Sequence, residues 1–129
     1  MYRRPIYFIS MTDISANEGD ESMGTINSAL TEAVYYILLS LMQPMHGYGI
    51  MQNVEKLSGG RLRLAAGTLY GAISTMQEKG WIFALSADGD SRKKEYMITD
   101  AGREMLRAEY KRLKELVENG RAVLEEEAQ

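Results

Sequence analysis

The sequence predicts a mainly α fold with one small β-hairpin: three short helices, the hairpin and a long closing helix. Three observations predict it. Apolar residues recur at helical spacing in several separate stretches. An Asp-Gly pair lies between two strand-like runs. The C-terminal stretch carries a heptad-like apolar stripe. At 129 residues, the chain fits one domain, or a small domain with a dimerisation helix.

Residues 1–22 show no sustained periodicity and end in Asn, Glu, Gly, Asp and Ser, which predicts a loosely attached arm over residues 1–28. Met23 could serve as an alternative translation start, since everything that patterns well lies after it. The first helix opens at Thr31, a good N-cap, with Glu32 set against the positive end of the helix dipole. Leu30, Val34, Ile37, Leu38 and Leu41 form its stripe, and Gln43-Pro44 closes it, because a residue before proline disfavours helical geometry. A second helix runs from His46 or Gly47 to Leu57, with Ile50, Met51, Val54 and Leu57 on one face. Ser58-Gly59-Gly60 stops it.

Arg61 to Leu64 alternates and reads as a short strand. The third helix starts at Gly67-Thr68, turns Leu69, Ile73 and Met76 inward, and ends at Gly80. Two strands, Trp81 to Ser86 and Lys94 to Ile98, flank Ala87-Asp88-Gly89-Asp90. Thr99 caps the final helix, from Asp100 to about Glu125, whose stripe is Leu106, Tyr110, Leu113, Val117, Gly120 and Leu124. Leu116 and Met105 widen it. Three helices followed by a hairpin is the layout of a winged helix-turn-helix, here at residues 29–98, with a C-terminal dimerisation helix at 99–129. A second copy is the economical cover for the stripe, since two-fold symmetry is the commonest oligomer; packing against the first helix is the alternative.

Net charge is −3, but it is unevenly spread. Residues 59–103 hold seven basic and five acidic side chains, whereas the segments before and after are net acidic. Local clustering matters more than the total for binding phosphate. With Leu69, Ile73 and Met76 inward, the third helix shows Thr68, Tyr70, Gly71, Ser74 and Thr75 outward. Small and hydroxyl-bearing residues allow close approach to a DNA groove, and the amides at Gly67 to Leu69 can take a phosphate. The bland alternative is an amphipathic helix with a polar back. Arg92, Lys93 and Lys94 follow the hairpin turn and could reach a neighbouring groove or backbone, although Asp88 and Asp90 partly offset them. Arg61 and Arg63, on the approach to the third helix, join this candidate surface.

Other chemistries find little support. There is no cysteine, so disulfides, thiolate metal sites and a Cys nucleophile are excluded. His46 is the single histidine and reads as a turn or helix-start residue, so no His cluster can hold a metal. Asp88-Gly89-Asp90 lacks the glycine and terminal glutamate of a calcium loop, and Gly47-Tyr48-Gly49 lacks a preceding strand and a third glycine. No catalytic site or cofactor is expected. The run Ile6 to Ile9 is too short for a signal-peptide core, and no stretch approaches the roughly 20 apolar residues of a membrane span. A cytoplasmic location is expected.

Four segments then carry a resemblance. Leu30-Thr31-Glu32-Ala33-Val34-Tyr35-Tyr36-Ile37-Leu38, His46-Gly47-Tyr48-Gly49-Ile50, Gly67-Thr68-Leu69-Tyr70, and Glu95-Tyr96-Met97-Ile98-Thr99-Asp100-Ala101-Gly102-Arg103 resemble the PadR family of bacterial transcriptional regulators in order and separation. The resemblance covers about Ala29 to the C-terminus. It implies a winged helix that dimerises through its C-terminal helix, with help from the N-terminal one, and binds a palindromic operator in double-stranded DNA. It places Gly67, Thr68 and Tyr70 at the DNA, Tyr48 near the phosphate backbone, and Arg92, Lys93 and Lys94 in the wing. Many members have proline after the tyrosine, whereas this chain has Gly71; glycine lowers helix stability by roughly 1 kcal/mol relative to alanine but permits closer approach. Members often respond to phenolic acids or planar hydrophobic drugs, and Tyr35, Tyr36, Trp81 and Tyr110 suit such a small effector or, equally, a core. The expectation is a ligand-responsive repressor; the alternative is a winged-helix interaction module without specific DNA binding.

Overall fold

A computed structural model of the chain describes residues 29–85 and 94–128, with side chains through Glu126. The arm at 1–28, the hairpin turn Ala87–Asp90, Arg92 and Lys93 lie outside the described residues. In chain order the elements are α1 (Glu32–Ser40), β1 (Met45–His46), α2 (Gly47–Leu57), α3 (Ala66–Glu78), β2 (Ile82–Ala84), β3 (Glu95–Ile98) and α4 (Asp100–Ala128). This is the expected mainly α winged helix with a small antiparallel sheet and a long closing helix.

Local chemistry sets most boundaries. The Thr31 side chain accepts a hydrogen bond from the Val34 amide at 3.1 Å and starts α1. His46 does the same for α2, its Nδ1 accepting from the Gly49 amide at 3.3 Å. After α2 the chain turns through Gly59 and Gly60, both with positive φ (66° and 84°), a conformation that a Cβ would strain. Gly80 (φ 78°) ends α3 in the same way. Thr99 then joins two elements: its Oγ1 accepts from the Gly102 amide at 3.0 Å, while its hydroxyl donates to the Gly80 carbonyl at 2.6 Å.

The core lies where α1, α2, α3 and the inner face of the sheet meet. Ile37, Leu38, Leu41, Ile50, Val54 and Leu69 are completely buried, and Ile73, Met76, Ile82, Tyr96 and Ile98 nearly so. Each such side chain contributes about 1.5–3 kcal/mol relative to leaving it in water. Among the partners predicted for α2, Met51 is half-buried, while Leu57 at the helix end is exposed.

The sheet corrects one expectation. Its order is β1-β3-β2, antiparallel throughout, with Met45 opposite Tyr96 and His46 opposite Glu95. Arg61–Leu64 is not a strand. Its alternation is real, since Leu62 and Leu64 lean on the core while Arg61 and Arg63 face outward. However, the free edge of β3 is taken by Met45–His46, and the Leu62 amide donates instead to the Ser58 hydroxyl at 3.0 Å. No helix among the described residues is long and apolar enough to cross a membrane.

Candidate nucleic-acid interface

Helix α3 divides into faces as its periodicity requires. Leu69, Ile73 and Met76 anchor it to the core. Gly67, Thr68, Gly71, Ser74 and Thr75 are exposed, and a Cβ at Gly67 or Gly71 would meet nothing within 4 Å. The outer stripe is therefore smooth and low, and exposed among the described residues. Ala65, at the N-cap, provides no side-chain cap, which leaves the first-turn amides without a side-chain acceptor at the positive end of the helix. Thr75 sits at the margin and also lines a groove described below.

Tyr70 behaves differently from its neighbours. It is half-buried and packs against the core rather than standing on the outer stripe. Its ring covers Gly47 at the start of α2. Tyr48, next to it in sequence, is 64% exposed. The first turn of α2 and the second turn of α3 thus meet.

Arg61 and Arg63, the basic residues expected on the approach to α3, are both bound to carboxylates. Arg61 is ion-paired with Glu32 of α1, and Arg63 with Glu55 of α2 at 3.1 Å. All four side chains are exposed, so water screens each pair and it can yield to a competing anion. Lys94 is half-buried at the entry to β3.

The second feature is α4. It has 29 residues, about 43 Å at the usual rise per residue. Leu106 and Glu109 are its last buried side chains; every described one beyond is half-buried or exposed. Leu106, expected in the intermolecular stripe, is 6% exposed and belongs to the monomer's core, because α4 still packs against α1 and β3 at that level. The remaining stripe is uncovered among the described residues: Tyr110, Val117 and Leu124 are exposed at seven-residue intervals, with Leu113 half-buried beside them. Leu116 and Val123, also seven apart, widen it. Val123 was legible from that interval but lies outside the 4-3 spacing that first draws the eye.

Sequence reasoning also missed Glu109, for which composition offers no signal. Its carboxylate is 4% exposed and receives Arg112 at 2.8 and 2.5 Å and the Leu30 amide at 3.3 Å. The Arg112 hydrogen bond, its charge and the Leu30 amide hold the carboxyl below the usual carboxylate range against the opposing effect of burial.

The aromatic residues do not form one pocket. Trp81 lines a groove of about 310 Å³ between the start of α1, the second half of α3 and Met105 of α4, with Lys79 Nζ 5.4 Å from its ring. Tyr35 and Tyr36 meet edge to face at 6.2 Å on α1. Burial, then the neighbouring Tyr110 and Glu109, push the Tyr35 phenol above its ordinary value. Tyr35 therefore belongs to the junction of α1 and α4.

Known proteins share this architecture. A PadR family transcriptional regulator from Eggerthella lenta superimposes with a TM-score of 0.59 at 24% identity, over 91% of this chain and 97% of that one. Bacillus subtilis PadR, in a complex with operator DNA, gives 0.51 at 21% identity over 64% of this chain and 48% of that one. An uncharacterized 37.1 kDa protein of transposon Tn4556 from Streptomyces fradiae is 39% identical over 66 residues, 51% of this chain. The match spans only 18% of that relative's length. The description "Transcriptional regulator PadR-like family" matches residues 36–108, more than half of the sequence, from the middle of α1 to the first turns of α4. The chain belongs to the PadR-like family of transcriptional regulators.

Proposed function

We propose that the chain is a sequence-specific DNA-binding repressor that acts in the cytoplasm as a homodimer on a palindromic operator and is released by a small aromatic or hydrophobic effector. The observation that carries this reading is the outer face of α3. Gly67, Thr68, Gly71 and Ser74 form an exposed strip, with no described residue above Gly67 or Gly71, and Ala65 gives its first-turn amides no side-chain cap. Such a face can lie deep in a major groove and present hydroxyls and amides to base edges and phosphates. The exposed Tyr48 and the wing residues Arg92, Lys93 and Lys94 would take backbone phosphates on either side, and Arg61 and Arg63 could exchange their carboxylates for phosphate. The complex of Bacillus subtilis PadR with operator DNA supports the same use of this fold.

Dimerisation rests on α4. Tyr110, Leu116, Val117, Val123 and Leu124, with the half-buried Leu113, give it an apolar side that the described residues leave exposed. Residues 29–98 would then hold the DNA and 99–129 the partner copy. The groove beside Trp81 has the apolar lining and size to receive a planar effector.

Fluorescence anisotropy tests the reading, with labelled DNA from upstream of the gene, a scrambled duplex, and two salt concentrations. Tight binding that prefers the upstream duplex and weakens steeply with salt is expected. The second reading, an interaction module, is favoured by the carboxylate partners of Arg61 and Arg63 and by the acidic net charge of −3. Equal, weak binding to both duplexes would select it.

A further inference from the structure

Tyr70 is well placed to do something other than touch DNA. A Cβ at Gly47 would collide with its hydroxyl and come within 2.7 Å of its Cζ, so the ring occupies the space a side chain at position 47 would need. Gly47 has no positive φ; glycine is needed there for room and not for backbone freedom. Gly47 itself is buried. The same phenol lies close enough to Tyr96 of β3 to add to burial in raising the Tyr96 hydroxyl above its ordinary value. One ring therefore covers the first turn of α2 and packs on the core that holds Tyr96, while its own backbone belongs to the second turn of α3.

Two contacts hold that part of α3: Leu69, completely buried in the core, and the Tyr70 ring on Gly47. Ala65 gives α3 no side-chain cap, the preceding segment Leu62–Ala65 is irregular, and the core residues of α3 begin at Leu69. We propose that Tyr70 is a positioning residue for DNA recognition: seated on Gly47, it fixes the angle at which α3 presents Gly67, Thr68, Gly71 and Ser74, and it does not itself supply a base or phosphate contact. The inference rests on the DNA-binding reading above. Position 47 shares the role, because any side chain there must displace the ring.

The test compares the unaltered protein with Tyr70→Phe, Tyr70→Ala, Gly47→Ala and the double variant. Urea unfolding is measured without DNA, and anisotropy with the upstream duplex at several salt concentrations. An added methyl at position 47 meets the far end of a side chain that can swing away, so Gly47→Ala should unfold close to the unaltered protein yet bind DNA about tenfold more weakly. Tyr70→Ala should weaken binding by a similar factor, and the double variant no further, because both changes break one contact. Tyr70→Phe keeps the ring and should retain affinity. Across all variants the salt dependence should stay unchanged, since no phosphate contact is removed. Tyr70→Phe losing as much as Tyr70→Ala, with a salt slope reduced by about one, would show a direct contact and overturn the proposal. Additive losses in the double variant would overturn it as well. Failure of the unaltered protein to prefer the upstream duplex would instead defeat the DNA-binding reading on which the inference stands.

Discussion

Removing the carboxylate of Glu109 offers a demanding check of how α4 is attached to the winged helix. The Glu109 side chain accepts two hydrogen bonds from Arg112 and one from the Leu30 amide, with 4% of it exposed. Glu109→Ala deletes all three. A fully buried pair broken in this way costs about 3–5 kcal/mol, because the remaining charge is stranded. Here the Arg112 side chain is 35% exposed and Leu30 is half-buried, so both can recover water. The loss should therefore fall nearer that of a charged hydrogen bond with its packing, about 2–3 kcal/mol. In a folded unit of this size that lowers Tm by about 10–20 °C. Glu109→Gln, which keeps the shape and one acceptor, should lose about half as much. The sign of the pH dependence follows from the lowered carboxyl. Its stabilisation is complete above the ordinary glutamate value of about 4.3 and disappears as pH falls through the lower folded-state value. Urea midpoints for the unaltered and Glu109→Ala proteins should thus differ by a constant amount from neutral pH to about pH 5 and converge on further acidification. An alanine variant within about 0.5 kcal/mol of the original at neutral pH, or a gap that persists undiminished in acid, would refute the reasoning.

Other perturbations test separate parts of the structure. In Gly102→Ala the new Cβ would run into the Trp81 carbonyl and lie 2.7 Å from Ile98 Cγ1, so overpacking should cost about 1–3 kcal/mol in chemical denaturation. Replacing both Val117 and Leu124 with lysine should leave the far-ultraviolet spectrum of the fold intact while sedimentation shifts from dimer to monomer. Thr99→Val removes the cap on Gly102 and the bond to Gly80, and should lower the unfolding free energy by about 1–2 kcal/mol without changing oligomeric state. Ile73→Ala hollows the core beneath the outer face of α3, and a loss of about 2–5 kcal/mol is expected by urea titration.

What could be read from the residues was what local chemistry decides. The caps of Thr31 and Thr99 and the stops at Gly59-Gly60 and Gly80 act within a few residues, so they are visible in one dimension, whereas the bond from Thr99 to Gly80 is not. Strand β1 was not visible, because two residues carry no period and Met45–His46 becomes a strand only when β3 lies alongside. The same competition leaves Arg61–Leu64 alternating but unpaired with any strand. Leu106 looked like its heptad neighbours; only the depth at which α4 leaves the body separates it from Tyr110. Glu109 is one acid among many on α4, singled out by the arrival of Leu30 from the far end of the chain. Tyr70 stands at the edge of the apolar arc of α3, where periodicity cannot choose a side, and the missing Cβ of Gly47 makes room for it to turn inward.

The hydroxyl of Thr99 binds the end of α3 to the beginning of α4 within a single residue. Mechanically, that joins a reading head to a shaft of about 43 Å with little slack between them. In the proposed dimer the gap between the two heads is then set by how the two shafts cross, as the jaws of callipers are set at the pivot. A turn of one degree along such a shaft moves its far end by roughly 0.75 Å. A ligand that altered the crossing by a few degrees could carry the two α3 helices out of register with successive turns of DNA while changing nothing on the reading face itself.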